Sequence, residues 1–167
     1  EKELITTDLY LADTKDGKII RKVSSRVKDG HLDNIDYLES SGTWSPDSKR
    51  FAFVAFKKGR NILVIKDVSN GRTVEEIAPK NLQAFANPTW SPNGRSIVVA
   101  GLSEGKSDLY QIDIRTKRLT QLTDDLYSQI QPSWSEDGSK LVFATDKMAI
   151  DDGRVRGKYT MNIAVMD

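Results

Sequence analysis

Three phrases in this chain are near copies of one another: TWSPDSKRFAFVAF from Thr43, TWSPNGRSIVVA from Thr89 and SWSEDGSKLVFA from Ser133. Their tryptophans, Trp44, Trp90 and Trp134, stand 46 and 44 residues apart. A period of this length restricts the fold more than any composition does. Each copy is too small to bury its own apolar face, so neighbouring copies must stack.

Within each copy the signals come in one order. After Trp-Ser lies a turn: Pro46-Asp47-Ser48, Pro92-Asn93-Gly94 or Glu136-Asp137-Gly138. Proline presets the first turn dihedral, Asp or Asn follows, and glycine accepts a left-handed backbone. Ser48 replaces that glycine, so its turn is expected to be strained or differently shaped. The runs FAFVAF (51–56), SIVVAGL (96–102) and KLVFATD (140–146) come next. They are β-branched, aromatic and too short for helices, and they read as strands buried on both faces. Third segments follow at 61–67, 107–113 and 161–167, and fourth segments at 71–77 and 116–122. Near the N-terminus, 8–13 and 18–23 fit the last two places of the same scheme. The count is about thirteen strands and no convincing helix.

Four short antiparallel strands per unit of this length describe a β-propeller blade. The fold class is therefore all-β. Residues 1–167 form a partial propeller: 1–23 give the outer strands of a first blade, 40–78 a second, 86–123 a third, and 130–167 a fourth lacking its outermost strand. The tryptophans, with Pro46, Pro92, Gly94 and Gly138, mark the structural repeat. All three indoles are expected to pack blade against blade, because a structural role recurs once per blade.

The pattern PTWSPNGRSIVVA, then Asp108-Leu109-Tyr110 with Asp113, then Gln121-Leu122-Thr123, resembles the WSPDG repeat of TolB-like propellers, the PD40 or WD40-like family. A WD40 repeat proper fits poorly, since Gly30-His31 occurs once and Trp-Asp never. The resemblance implies a bacterial, exported chain, periplasmic by analogy. Closed propellers of this family have six or more blades against about three and a half here. It therefore also implies either a piece of a longer protein, which the ragged ends favour, or self-association to close the ring.

The residues offer little for catalysis. His31 is the one histidine, cysteine is absent, and neither a G-x-S-x-G elbow nor HExxH occurs. No cofactor is expected. Asp33 with Asp36, Asp124-Asp125 and Asp151-Asp152 could lend oxygens to Ca²⁺, but none has the spacing of a Ca²⁺ loop. With 25 basic and 24 acidic residues mixed along the chain, nucleic-acid binding is not expected. No apolar run reaches the length of a membrane span.

Function is then expected on the surface. The loops 24–40, 78–87 and 123–131 should gather on one face with 57–60, 103–107 and 145–160, and long loops on a rigid scaffold are where binding resides. The candidate face comprises His31, Asp36, Tyr37, Phe85, Tyr127, Gln129, Met148, Asp151 and Asp152. The expected role is a non-catalytic scaffold for a protein or peptide. The alternative is an accessory or gating propeller region of a larger peptidase or hydrolase whose catalytic residues lie elsewhere. A propeller glycosidase or lyase is a third reading, for which no acidic pair stands out.

Overall fold

The computed structural model describes residues 8–25, 28–35, 41–82, 84–103, 105–151 and 161–167. Four antiparallel sheets follow one another along the chain. The first pairs β1 (Leu9–Ala12) with β2 (Ile19–Ser24). The second runs from β3 (Asn34–Ile35) and β4 (Thr43–Trp44), both on β5 (Arg50–Lys57), to β6 (Arg60–Asp67) and β7 (Thr73–Ile77). The third orders β8 (Ala84–Trp90), β9 (Ser96–Ser103), β10 (Lys106–Asp113) and β11 (Leu119–Gln121). The fourth holds β12 (Gln129–Trp134), β13 (Leu141–Thr145) and β14 (Asn162–Met166). The architecture is a partial β-propeller.

Fourteen strands among the described residues replace the expected thirteen. The additional one is β3, inside the segment read as the 24–40 loop, where Asn34 and Ile35 pair with Phe56 and Ala55. A single helical turn, α1 (Lys147–Asp151), follows β13 and is the one helical element among the described residues.

The repeated phrase works by turn closure. In each copy the serine after tryptophan accepts the backbone N–H five residues on, at 2.9 Å for Ser45, 3.1 Å for Ser91 and 2.9 Å for Ser135. The same hydroxyl donates to Asp47, Asn93 or Asp137. Hydrogen bonds from Ser135 and from the backbone and side chain of Ser139 draw the Asp137 carboxyl down to about 2. Ser48 carries φ 56°, in the left-handed region that Gly94 (74°) and Gly138 (72°) enter without strain. The sequence expectation of a strained turn is met there.

Packing between sheets repeats as well. Ala52, Val54, Leu63 and Ile65 of the second sheet meet Trp90, Ile97 and Val99 of the third. Val98, Ala100 and Leu109 of the third meet Leu141, Trp134 and Phe143 of the fourth. The third sheet thus shows one side to the second sheet and the other to the fourth. The tryptophans follow this rule unequally. Trp90 is 6% exposed, Trp134 is half-buried, and Trp44 remains 46% exposed with its edge on Phe51. The cause is the first sheet, whose two described strands place no inner strand against Trp44. Burial on both faces likewise holds for most of β5 and β9 but not for β13, where Val142 is exposed. Beside it on β14, Ile163 is 81% exposed, whereas Leu63 and Leu109 in the same repeat slot are fully buried.

One buried pair has no counterpart elsewhere in the repeat. Lys66 stands where the other copies have Ile112 and Met166, and its ammonium meets Asp29 at 2.5 Å. Ser24 donates to the other carboxylate oxygen at 2.6 Å. The pair ties the segment after the first sheet to the third strand of the second.

Candidate functional site

Where the inner strands begin, β8 and β12 both bulge. Register slips between Ala86 and Thr89, and between Ile130 and Ser133. Asn87 and Gln131, each preceding a proline, take φ 51° and 53°. Proline donates no ladder hydrogen bond, which suits Pro88 and Pro132 to a bulge. Beside these bulges opens a cleft of about 560 Å³. It reaches across three sheets: Phe56 and Asn61 from the second, Ala84, Ala86, Ala100 and Leu102 from the third, and Ile130 and Gln131 from the fourth. Its floor is made of small residues. Leu102, 54% exposed, stands over it.

Two equivalent hydrogen bonds hold the cleft open at a fixed width. Asn61 donates to the Phe85 carbonyl at 2.7 Å, and Ser107, in the same repeat slot, donates to the Gln129 carbonyl at 2.9 Å. Phe85 itself is buried in the core between the second and third sheets while lining the cleft.

At the fourth sheet, polar groups are layered. Asp108 is buried, accepting from Thr123 at 3.0 Å and from Gln121 at 3.3 Å. Gln129, also buried, contacts Thr123 through its carbonyl and donates to Asp125. In the second sheet the slots of Asp108 and Thr123 hold Ile62 and Ala78. The repeat therefore keeps either a polar pair or an apolar pair, since a lone buried polar group would be unsatisfied. Burial, together with the charges of Asp124 and Asp125, pushes the Asp108 carboxyl above the usual carboxylate range.

A folded pKa above the unfolded one means that the stability Asp108 lends is full at acid pH. It is lost as pH rises through the folded value. Asp108→Asn, neutral throughout, is expected to raise stability near neutrality, with an advantage over the native chain that grows as pH rises above the usual carboxylate value of about 4. Thermal unfolding across that rise checks this, and a pH-independent difference would sink it.

Nearer the surface, Tyr127 donates to Asp151, Lys147 lies 5.3 Å over the Tyr127 ring, and Asp146 accepts the Ser128 N–H. Met148 and Leu126 are exposed beside this group. His31 lies at the other end of the face, its Nε2 on Glu76, whose second oxygen takes Lys57 at 2.6 Å. Burial works to raise the Glu76 carboxyl, but Lys57 and His31 outweigh it and hold the group below its usual range. The structure thus joins Tyr127 with Asp151 and sets Gln129 beneath them, while His31 stays with the second sheet. Asp36, Tyr37 and Asp152 lie outside the described residues. Sequence reasoning missed Asp108, Thr123 and Asn61 as site-forming residues. The pairing of Asp108 with Gln121 and Thr123 within one motif was the available signal.

Among the described residues, no group of three or more His, Cys, Asp or Glu is placed to hold a metal ion. None of the described helices is long and apolar enough to cross a membrane.

A family model described as the TolB beta propeller domain (PD40) matches residues 9–154. The Tol-Pal system protein TolB of Ruthia magnifica subsp. Calyptogena magnifica is 29% identical over 122 residues, covering 70% of this chain and 28% of that protein. The crystal structure of TolB from Acinetobacter baumannii superposes with a TM-score of 0.66 at 24% identity, over 96% of this chain and 35% of that one. A prolyl endopeptidase structure superposes with a TM-score of 0.57 at 16% identity, over 93% and 25% of the two chains. At these identities the two solved structures speak to fold alone. The chain spans less than a third of the curated relative's length.

Proposed function

Since this chain belongs to the TolB β-propeller domain family, we propose that it is a non-catalytic scaffold, acting in the periplasm, whose cleft binds a segment of a protein partner. The observation that carries this reading is the cleft itself. It is open, floored by alanines, walled by Phe56, Leu102 and Ile130, and held at fixed width by the Asn61 and Ser107 ties. A preformed apolar recess with a few placed polar groups is the usual form of a binding site. An extended segment fits it better than a flat protein surface, because the small floor residues leave room for a protruding side chain.

A photo-reactive amino acid at position 102, introduced in the source cell, is expected to crosslink the protein to a defined partner. The same group at Ser69, in the hairpin between β6 and β7, should give none. Equal labelling from both positions, or none from 102, would overturn the reading.

A second reading rests on the likeness in fold to the prolyl endopeptidase. In it these sheets are the accessory propeller of a larger peptidase or hydrolase, with the reacting groups elsewhere. Protein isolated from its source would then cleave proline-containing peptides, and a lack of turnover counts against it.

A further inference from the structure

The cleft runs from the second sheet to the fourth, and its two ends differ in charge. At the second sheet, Phe56 and Asn61 flank the hairpin Lys57-Lys58-Gly59-Arg60. There Lys57 pairs with Glu76, while Arg60 donates to the neutral Pro79 carbonyl and Lys58 has no ion pair among the described residues, so this end stays basic. At the fourth sheet, beyond Ile130 and Gln131, the charges are acidic. Asp124, Asp125, Asp146 and Asp151 gather above the buried Asp108, and none of the five has an ion pair among the described residues. The nearby ammonium of Lys147 rests on the Tyr127 ring rather than on a carboxylate. Hydrogen bonds fix the group's geometry: Asp125 accepts from Gln129 and from the Tyr127 N–H, and Asp146 from the Ser128 N–H.

Like charges held together store repulsion that an incoming cation relieves. The effect is larger beside a low-dielectric wall, which the half-buried Ile130 supplies here.

Resting on the scaffold reading above, we propose that the cleft selects an extended segment carrying a bulky apolar anchor with Lys or Arg next to it. The anchor lies over Ala84, Ala86 and Ala100, and the cation meets Asp124, Asp125 and Asp151. Charge sets which segments are accepted and which way they lie, while the anchor supplies most of the affinity. An acidic segment is rejected, because its carboxylates would meet the same group.

The test uses three capped, fluorescein-labelled nonapeptides containing Leu-Phe-Leu, followed by Lys-Arg, Gln-Gln or Glu-Glu. Binding to the full chain is read by anisotropy. The basic peptide is expected to bind at least about tenfold tighter than the neutral one, and the acidic peptide weaker still. The preference should shrink as salt rises from about 0.05 to 0.5 M. Asp124→Lys, at an exposed position, should erase the basic peptide's advantage over the neutral one. Leu102→Asp should weaken the neutral and basic peptides alike. Equal binding of all three peptides would overturn the charge selection and leave the cleft's role standing. Failure of all three to bind would overturn both.

Discussion

Trp90→Ala is expected to lower the unfolding free energy by about 3–5 kcal/mol, and Trp44→Ala by less than half as much. Both residues open the same phrase, so their sequence surroundings are nearly identical. Their packing is not. Trp90 is wedged between Ala52 and Val54 of one sheet and Ile97 and Val99 of the next, so its removal leaves a cavity that two rigid sheets cannot close. Trp44 rests on Phe51 with nearly half its surface in solvent, and its loss opens no enclosed space. Denaturant titration measures the difference as a shift in midpoint at unchanged slope. Equal losses at the two positions would show that the indole acts within its own strand pair and not between sheets.

Asp29→Asn is expected to cost a similar amount, about 3–5 kcal/mol, through a different mechanism. Lys66 is 1% exposed and occupies a slot that other copies fill with Ile112 or Met166. Without Asp29 its ammonium is left charged and unpaired in the interior. Burial alone would raise the Asp29 carboxyl, but hydrogen bonds from Lys66 and Ser24 and the lysine's charge hold it below its usual range. A depressed folded pKa means that this stabilisation is complete above the unfolded value near 3.8 and fades as pH falls through the folded one. Lys66→Met combined with Asp29→Asn should recover much of the loss, since methionine is what the fourth sheet uses in that slot. A double-mutant cycle with no coupling between the two sites would refute the pair's role.

The strands were legible because each repeat states them three times with its turns attached. Ser48 could even be singled out as a misfit before its backbone angle was known. What escaped notice follows from how little a periodic pattern says about unique features. Asp29 and Lys66 stand 37 residues apart, and an isolated lysine in a strand reads as a surface residue. The pairing of β3 depends on Phe56 across a connection that carries no strand signal of its own. Phe85 and Gln129 were read as residues of the loops 78–87 and 123–131, whereas both belong to inner strands, β8 and β12. Alternation of burial in those short, bulged strands could not tell that their side chains turn inward. The cleft was not foreseen, because it belongs to three repeats at once and to none of their motifs.

The uncovered side of the fourth sheet also bears on how the chain behaves in concentrated solution. Val142, Ile163 and Val165 form an apolar stripe with no charge among them, and the slots of Val142 and Ile163 are sealed in the second and third sheets. Two molecules that meet along such stripes lose unfavourable contact with water, so attraction between them grows with concentration and is stronger in sulfate than in chloride. Crystallisation, storage and any quantitative titration of this chain are therefore sensitive to this stripe.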